Sequence, residues 1–262
     1  AYFKWRDLLN MAASDMRMVR GREIGMIFQD PMTALNPCMK IGRQVMEPLV
    51  VHGLCGRVQA RQRAAELLEA VGIPEPFQRM NMYPHEFSGG MRQRVVIAMA
   101  LIAKPDLLIA DEPTTALDVT VQAQLLDLLA HLRTEFNMAV ALITHDMGVV
   151  AKLCDHVLVM YAGRVVEYAS TEDLFDNPQH PYTWALLDAL PGAHTVGKPL
   201  RAIPGLPPEC GAPEHGCPFV ARCDYAISDC LHENTVLKET SFPGHSVACL
   251  RAQRRELERS ET

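Results

Sequence analysis

Long apolar runs are missing from this chain. The longest unbroken one, Val95 to Ala103, is nine residues, about half of the roughly 20 that a membrane-spanning helix needs. Excess positive charge is missing too. The 25 Lys and Arg stand against 31 Asp and Glu, a formal net charge of −6, so the bulk balance advertises neither nucleic acid nor an acidic membrane surface as a partner. The opening Ala1-Tyr2-Phe3-Lys4-Trp5 holds no Met and no apolar stretch of the kind a secretory leader uses. Internal repeats and low-complexity tracts are absent. What is present suits a folded protein. The 262 residues are 48% hydrophobic and 21% charged, which leaves enough apolar surface for a core and excludes wholesale disorder.

Cysteine is plentiful but uneven. Cys38, Cys55 and Cys154 are scattered, whereas Cys210, Cys217, Cys223, Cys230 and Cys249 crowd into 40 residues near the end. A disulfide scaffold of a secreted protein is small and lacks a long apolar α/β body, so a reducing compartment is the expectation. The late cysteines read as a ligand set, and the three scattered ones as small apolar residues in packing.

The hydrophobic pattern alternates between the two regular periods. Glu23–Phe28, Leu107–Ala110 and Ala139–Thr144 are short apolar runs that read as strands. Arg57–Val71 carries Ala64, Leu67, Leu68 and Val71 on one helical face and stops at Gly72 and Pro74. Met91, Val95, Met99 and Ile102 mark a second helix after Ser88-Gly89-Gly90, the methionines serving its core face. Helices are also expected over 120–136, 147–153 and 182–190, and strands over 157–160 and 164–168 around a turn at Ala162-Gly163. Strands alternating with helices imply a mainly parallel sheet covered on both faces. Beyond Asn177 the texture turns to Pro, Gly, His and Cys, which marks a separate C-terminal region.

Chemistry collects at strand ends and helix starts. Asp111 and Glu112 close an apolar strand, the edge at which open α/β sheets bind ligands. An Asp there can hold Mg²⁺ directly or through water, and the Glu beside it can orient or deprotonate an attacking water. Ser88-Gly89-Gly90 opens a helix whose free N–H groups suit a phosphate, although alone it is merely a capped turn. His145 and Gln29 end two further strands, and each alone would be an ordinary polar residue.

In this order these residues resemble the ATP-binding subunits of ABC transporters. Gln29 matches the Q-loop and Phe87–Met91 the signature. Leu107–Glu112 matches the Walker B strand, Ala116-Leu117-Asp118 the D-loop and His145 the switch histidine. Asp30–Pro37, Tyr83–Gly90 and His180-Pro181-Tyr182-Thr183 are similar to the dipeptide/oligopeptide importer branch, as is Met91 in place of the general family's Gln. The resemblance implies a P-loop NTPase α/β core (residues 1–30 and 105–176), an inserted helical subdomain bearing the signature (31–104) and a small cysteine-rich C-terminal domain (177–262). It also implies ATP hydrolysis coupled to import of di- or oligopeptides, with related small solutes such as nickel chelates or glutathione as alternative cargo. Glu112 would act as the catalytic carboxylate, with His145 and Gln29 sensing the γ-phosphate. Asp111 would support Mg²⁺, and Ser88, Gly89, Gly90 and Asp118 would meet nucleotide in a head-to-tail dimer. The partners implied are a second ATPase subunit, two transmembrane permease subunits and, indirectly, a substrate-binding protein, with no nucleic acid. The place implied is the cytoplasmic face of the plasma membrane. The segment Met32–Glu47 would meet a membrane subunit. A soluble ABC-type ATPase of DNA repair or translation is the rival reading, but no second cassette or coiled-coil insert supports it. A module built around a metal centre is another.

Cys217, Cys223, Cys230 and Cys249 follow spacings x5, x6 and x18. On spacing alone a cluster, a zinc ion and unligated thiols all stay open, since the Cys-x2-4-Cys knuckle usual for structural zinc does not occur. The family resemblance implies a [4Fe–4S] cluster, with zinc as the alternative and Cys210 as a spare. One family element is not found. Residues 1–28 contain no Gly-x-x-x-x-Gly-Lys-Ser/Thr run, and Gly192–Pro199 is a decoy that ends in Pro where the Mg²⁺-binding hydroxyl belongs. Together with the start at Ala1, this reads as a chain that begins partway through its ATPase core and is by itself inactive on ATP.

Overall fold

The structure, a computed structural model, describes residues 1–114, 118–190, 203–206, 208 and 215–257, without the side chains of Pro31 and Met32. Ala116 and Leu117 of the D-loop match, the Gly192–Pro199 decoy and Cys210 lie outside the described residues. The chain divides into two compact units, Ala1–His145 and Asp146–Thr262.

The first unit opens with a small hairpin, β1 (Tyr2–Phe3) and β2 (Arg6–Asp7), and a helix, α1 (Ala13–Val19). Strand β3 (Ile24–Ile27) leads into a helical stretch. That stretch comprises α2 (Pro31–Ala34), α3 (Ile41–Val51), α4 (Arg57–Ala70), α5 (Pro76–Arg79) and α6 (Gly89–Leu101). Strand β4 (Leu107–Asp111), helix α7 (Val119–Phe136) and strand β5 (Ala139–Ile143) follow. The helix boundaries have local causes. Ser88 Oγ accepts from Met91 N at the start of α6, and Asp118 accepts from Val121 N at the start of α7. Helix α7 ends where Asn137 turns left-handed at φ 50°. Helix α4 buries Ala60, Ala64, Leu67 and Leu68, a single stripe at helical spacing.

Strands β3, β4 and β5 pair in that order and in parallel, with Gly25 opposite Leu108 and Leu108 opposite Val140. One face of this sheet carries Gly25, Ile27, Leu108 and Ala110, all buried. Ile27, Leu108 and Ala110 share one apolar core with Val45, Leu68, Ile97 and Leu125. The helical stretch and the sheet therefore have a common interior. Gly25 sets how closely helix and strand approach, because a Cβ there would stand 2.5 Å from the Ala100 carbonyl oxygen. On the other face Met26, Phe28 and Ile143 are 39%, 51% and 51% exposed.

The second unit contains α8 (Met147–Leu153), β6 (His156–Tyr161), β7 (Arg164–Ser170), α9 (Thr171–Asp176) and α10 (Pro181–Asp188). It closes with β8 (Lys238–Glu239), β9 (Ser246–Val247) and α11 (Leu250–Gln253). Its sheet runs β6-β7-β9-β8 and every pairing is antiparallel. The expectation of a mainly parallel sheet thus holds for β3–β5 and fails here. Ala162 and Gly163, both at positive φ, form a two-residue turn, and so short a link joins only antiparallel strands. Pairing of β7 with β9 also joins segments on either side of the boundary placed after residue 176.

Replacing Gly25 with Ala tests the close approach of α6 to β3. The new methyl meets backbone, which moves only if the helix leaves the strand, so unfolding should show a loss of about 1–3 kcal/mol. A denaturation midpoint equal to wild type would mean that the contact is soft.

Candidate functional site

Parallel pairing in register brings three strand ends to one edge. Gln29 lies two residues beyond β3, Glu112 one beyond β4 and His145 two beyond β5. Their side chains meet. Gln29 Nε2 donates to Glu112 Oε2 at 3.0 Å, and His145 Nδ1 lies 3.1 Å from Glu112 Oε1. Each oxygen of the carboxylate therefore has a polar partner from a neighbouring strand. The Glu112 backbone sits at φ 43°, in the left-handed region, which costs a residue with a Cβ about 1 kcal/mol. Its N–H still donates to the Ile143 carbonyl at 2.9 Å, so the chain turns away from the sheet just after a last ladder-type bond. The Glu112 side chain is 24% exposed and that of His145 79%. The result is an aimed carboxylate that solvent can reach.

Two helix starts complete the site as far as it is described. Gly89 opens α6 with nothing within 4 Å of where a Cβ would stand, so its backbone is open to an incoming group. A Cβ on Gly90 would lie 3.3 Å from Val121 Cγ1, which sets the start of α6 beside the start of α7. Buried Gln93 donates from Nε2 to the Pro113 carbonyl at 2.7 Å, tying α6 to the turn that carries Glu112. Asp111, half-buried, ends β4 opposite Ile143.

In the second unit Cys217, Cys223, Cys230 and Cys249 line one small pocket together with His180 and Arg251. Backbone N–H groups face three of the sulfurs: those of Phe219 and Val220 at Cys217, Tyr225 at Cys223, and Ala252 and Arg251 at Cys249. Burial nonetheless pushes the Cys217 thiol up to about 11, the Cys223 thiol up to about 12 and the Cys249 thiol upward as well. These groups stay protonated unless a cation enters. Among the described residues no group of three or more His, Cys, Asp or Glu is arranged to hold a metal ion. The described cysteines are free thiols. Cys55 and Cys154 are half-buried, whereas Cys38 is exposed and so departs from the packing role expected of it.

Comparison with known proteins agrees with this geometry. A family described as ABC transporter matches residues 6–115, and one described as Oligopeptide/dipeptide transporter, C-terminal region, matches residues 166–230. The oligopeptide transport ATP-binding protein OppD of Salmonella typhimurium is 51% identical over 251 residues, which cover 96% of this chain and 74% of that protein. The chain belongs to the ATP-binding subunits of oligopeptide/dipeptide ABC transporters. The dipeptide transport ATP-binding protein DppD of Bacillus subtilis is 49% identical over 257 residues, 97% of this chain and 76% of that protein. The fold is that of ABC ATPases. The ATP-binding cassette MJ0796, in a dimeric post-hydrolysis state with ADP and Pi, superposes with a TM-score of 0.58 at 29% identity, over 65% of this chain and 72% of that one.

In this ABC ATPase subunit the structure brings Gln29, Glu112 and His145 together, and sets Ser88, Gly89, Gly90 and Asp118 at two adjacent helix starts. Among the described residues no helix is long and apolar enough to cross a membrane. Two features escaped sequence reasoning. The first is Gln93, whose only signal was a polar residue on a helix face of Val and Met. The second is a fully buried pair, Glu167 and His245, 2.8 Å apart, with Glu167 Oε2 also accepting from His180 N at 3.0 Å. An acidic residue inside an apolar strand was the available hint.

Burial holds the His180 ring neutral, pushing its pKa down to about 4 from an ordinary value near 6.5, with Glu167 acting in the opposite direction. The folded state thus binds fewer protons than the unfolded chain between these values. The contribution is complete above pH 6.5 and is lost as pH falls towards 4. Between about pH 7 and pH 4.5 it should cost the wild type roughly 2–3 kcal/mol more than His180→Phe, read from denaturant unfolding at the two pH values. Parallel losses in both proteins would rule out this source.

Proposed function

We propose that this chain, completed by a Walker A loop, hydrolyses ATP to drive import of di- or oligopeptides through two permease subunits at the cytoplasmic face of the plasma membrane. The observation that carries the reading is the meeting of Gln29 and His145 on Glu112, supported by relatives named for oligopeptide and dipeptide transport. Glu112, aimed by its two partners, accepts a proton from the attacking water. Asp111, at the strand end, supports Mg²⁺. His145 and Gln29 leave the carboxylate to sense the γ-phosphate. Bound Mg²⁺ would supply charge neutralisation at the phosphates. Ser88, Gly89 and Gly90 at the start of α6 offer N–H groups to the nucleotide of a second ATPase subunit placed head to tail, near Asp118. In this reading residues 1–30 and 105–176 form the ATPase core, 31–104 the helical subdomain, whose Met32–Glu47 segment faces a permease, and 177–262 the C-terminal domain. A substrate-binding protein delivers the cargo.

The same reading assigns Cys217, Cys223, Cys230 and Cys249 to a [4Fe–4S] cluster. Their shared pocket and the N–H groups facing their sulfurs support it.

Both halves are testable. With a Walker A phosphate-binding segment placed ahead of residue 1, Glu112→Gln should lower ATPase turnover roughly a hundredfold while ATP binding persists. Wild-type turnover would remove Glu112 from the chemistry. Anaerobically prepared protein should carry iron and sulfide in equal amounts, and stoichiometric zinc without iron would overturn the cluster.

A further inference from the structure

Glu112 stands in a conformation that its surroundings must hold. Its φ of 43° is left-handed, a region that a residue with a Cβ avoids. Pro113 follows it, and the residue before a proline is normally extended. Backbone of this kind persists only where its neighbours over-determine it. Two hydrogen bonds bracket the residue. On one side its own N–H donates to the Ile143 carbonyl at 2.9 Å, and on the other Gln93 Nε2 donates to the Pro113 carbonyl at 2.7 Å. Gln93 is 2% exposed and Pro113 is buried, so loss of this donor would strip a carbonyl that water does not readily reach. The donor also stands on a fixed element. Beside it on α6, Arg92 Nε donates to the Pro84 carbonyl at 2.8 Å, and farther along the Ala100 carbonyl lies against Gly25 of β3.

We propose that Gln93 is a positioning residue: by holding the Pro113 carbonyl it keeps Glu112 left-handed and its carboxylate between Gln29 and His145. Those two side chains meet the carboxylate from exposed positions, where water competes for the same bonds, and neither touches the main chain of the turn in these contacts. The buried amide of Gln93 does. It transfers the rigidity of α6 to a turn that would otherwise relax towards extended backbone, and φ sets the direction in which the Glu112 side chain leaves the chain. The catalytic consequence rests on the role given to Glu112 above, whereas the conformational claim stands without it.

The test uses Gln93→Met, which keeps the length and removes the donor, and Gln93→Asn, which keeps the amide but withdraws it by one methylene. Hydrogen exchange is measured first, on the chain as it is, at the Glu112 amide and at Leu108 and Ala110 within β4. Both variants should exchange about tenfold faster at Glu112, with Leu108 and Ala110 at wild-type rates. An unchanged Glu112 rate would overturn the proposal. So would equal acceleration at all three amides, or failure of both variants to fold, since either makes Gln93 a packing residue. Turnover is measured second, with a Walker A segment ahead of residue 1. Each variant should lower kcat about tenfold at an unchanged KM for ATP, and Gln93→Met should cost nothing further when added to Glu112→Gln. Losses that multiply would show that Gln93 does not act through Glu112. Wild-type turnover by Glu112→Gln would remove the catalytic role of Glu112, and the exchange rates would still decide whether Gln93 holds the turn.

Discussion

Parallel pairing of β3, β4 and β5 is the constraint on which the first unit depends. A parallel ladder aligns strand ends that are far apart in sequence, and Gln29 and Glu112 are separated by 83 positions. Slipping β3 by one residue against β4 would turn Ile27 from the core to the open face and draw Gln29 away from Glu112 in the same movement. Burial of Ile27, Leu108 and Ala110 therefore specifies the geometry at the strand ends indirectly: the register that hides these side chains is the one that brings the polar ends together. Gly25, on the same face, supports the arrangement by letting α6 lie directly on β3, while Gln93 carries the position of α6 forward to the turn at Pro113.

The second unit has an apolar core of its own and, beside it, a buried carboxyl group that ties three segments together. Glu167 has no exposed surface, yet it receives His245 from beside β9 and backbone N–H groups from the residues that lead into α10. A buried carboxylate left unpaired would be severely destabilising, so these three segments must close together. The cysteine pocket inherits its shape from that closure. His180 follows the Glu167 contact directly, and Cys249 stands four residues after His245. Cys217 is tied to Cys230 by its N–H on the Cys230 carbonyl at 2.8 Å.

Much of this was legible in sequence where the cause is local. Ser88 and Asp118 mark the helices they cap, and the apolar runs of β3, β4 and β5 end at the polar residues that meet at the site. The turn at Ala162-Gly163 was legible as a turn, but its consequence, an antiparallel sheet in place of a continued parallel one, follows only when β6 and β7 are paired. Strands β8 and β9 are two residues each and carry no periodicity. The partner of Glu167 lies 78 positions away, with nothing nearby in the chain to announce it. The left-handed backbone of Glu112 is opaque for a different reason: Gly, Asn and Asp are the residues that usually signal it, and here the position is held by a glutamate.

That last feature bears on the mutations this gene tolerates. Glutamate codons are a single-nucleotide change away from both Gly and Asp codons, and either residue accepts a left-handed backbone more readily than Glu does. Each substitution relaxes the main chain while removing or shortening the carboxylate. On the role proposed for Glu112, such changes should therefore yield well-folded protein without ATPase chemistry, and selection on this codon would act through activity and not through folding.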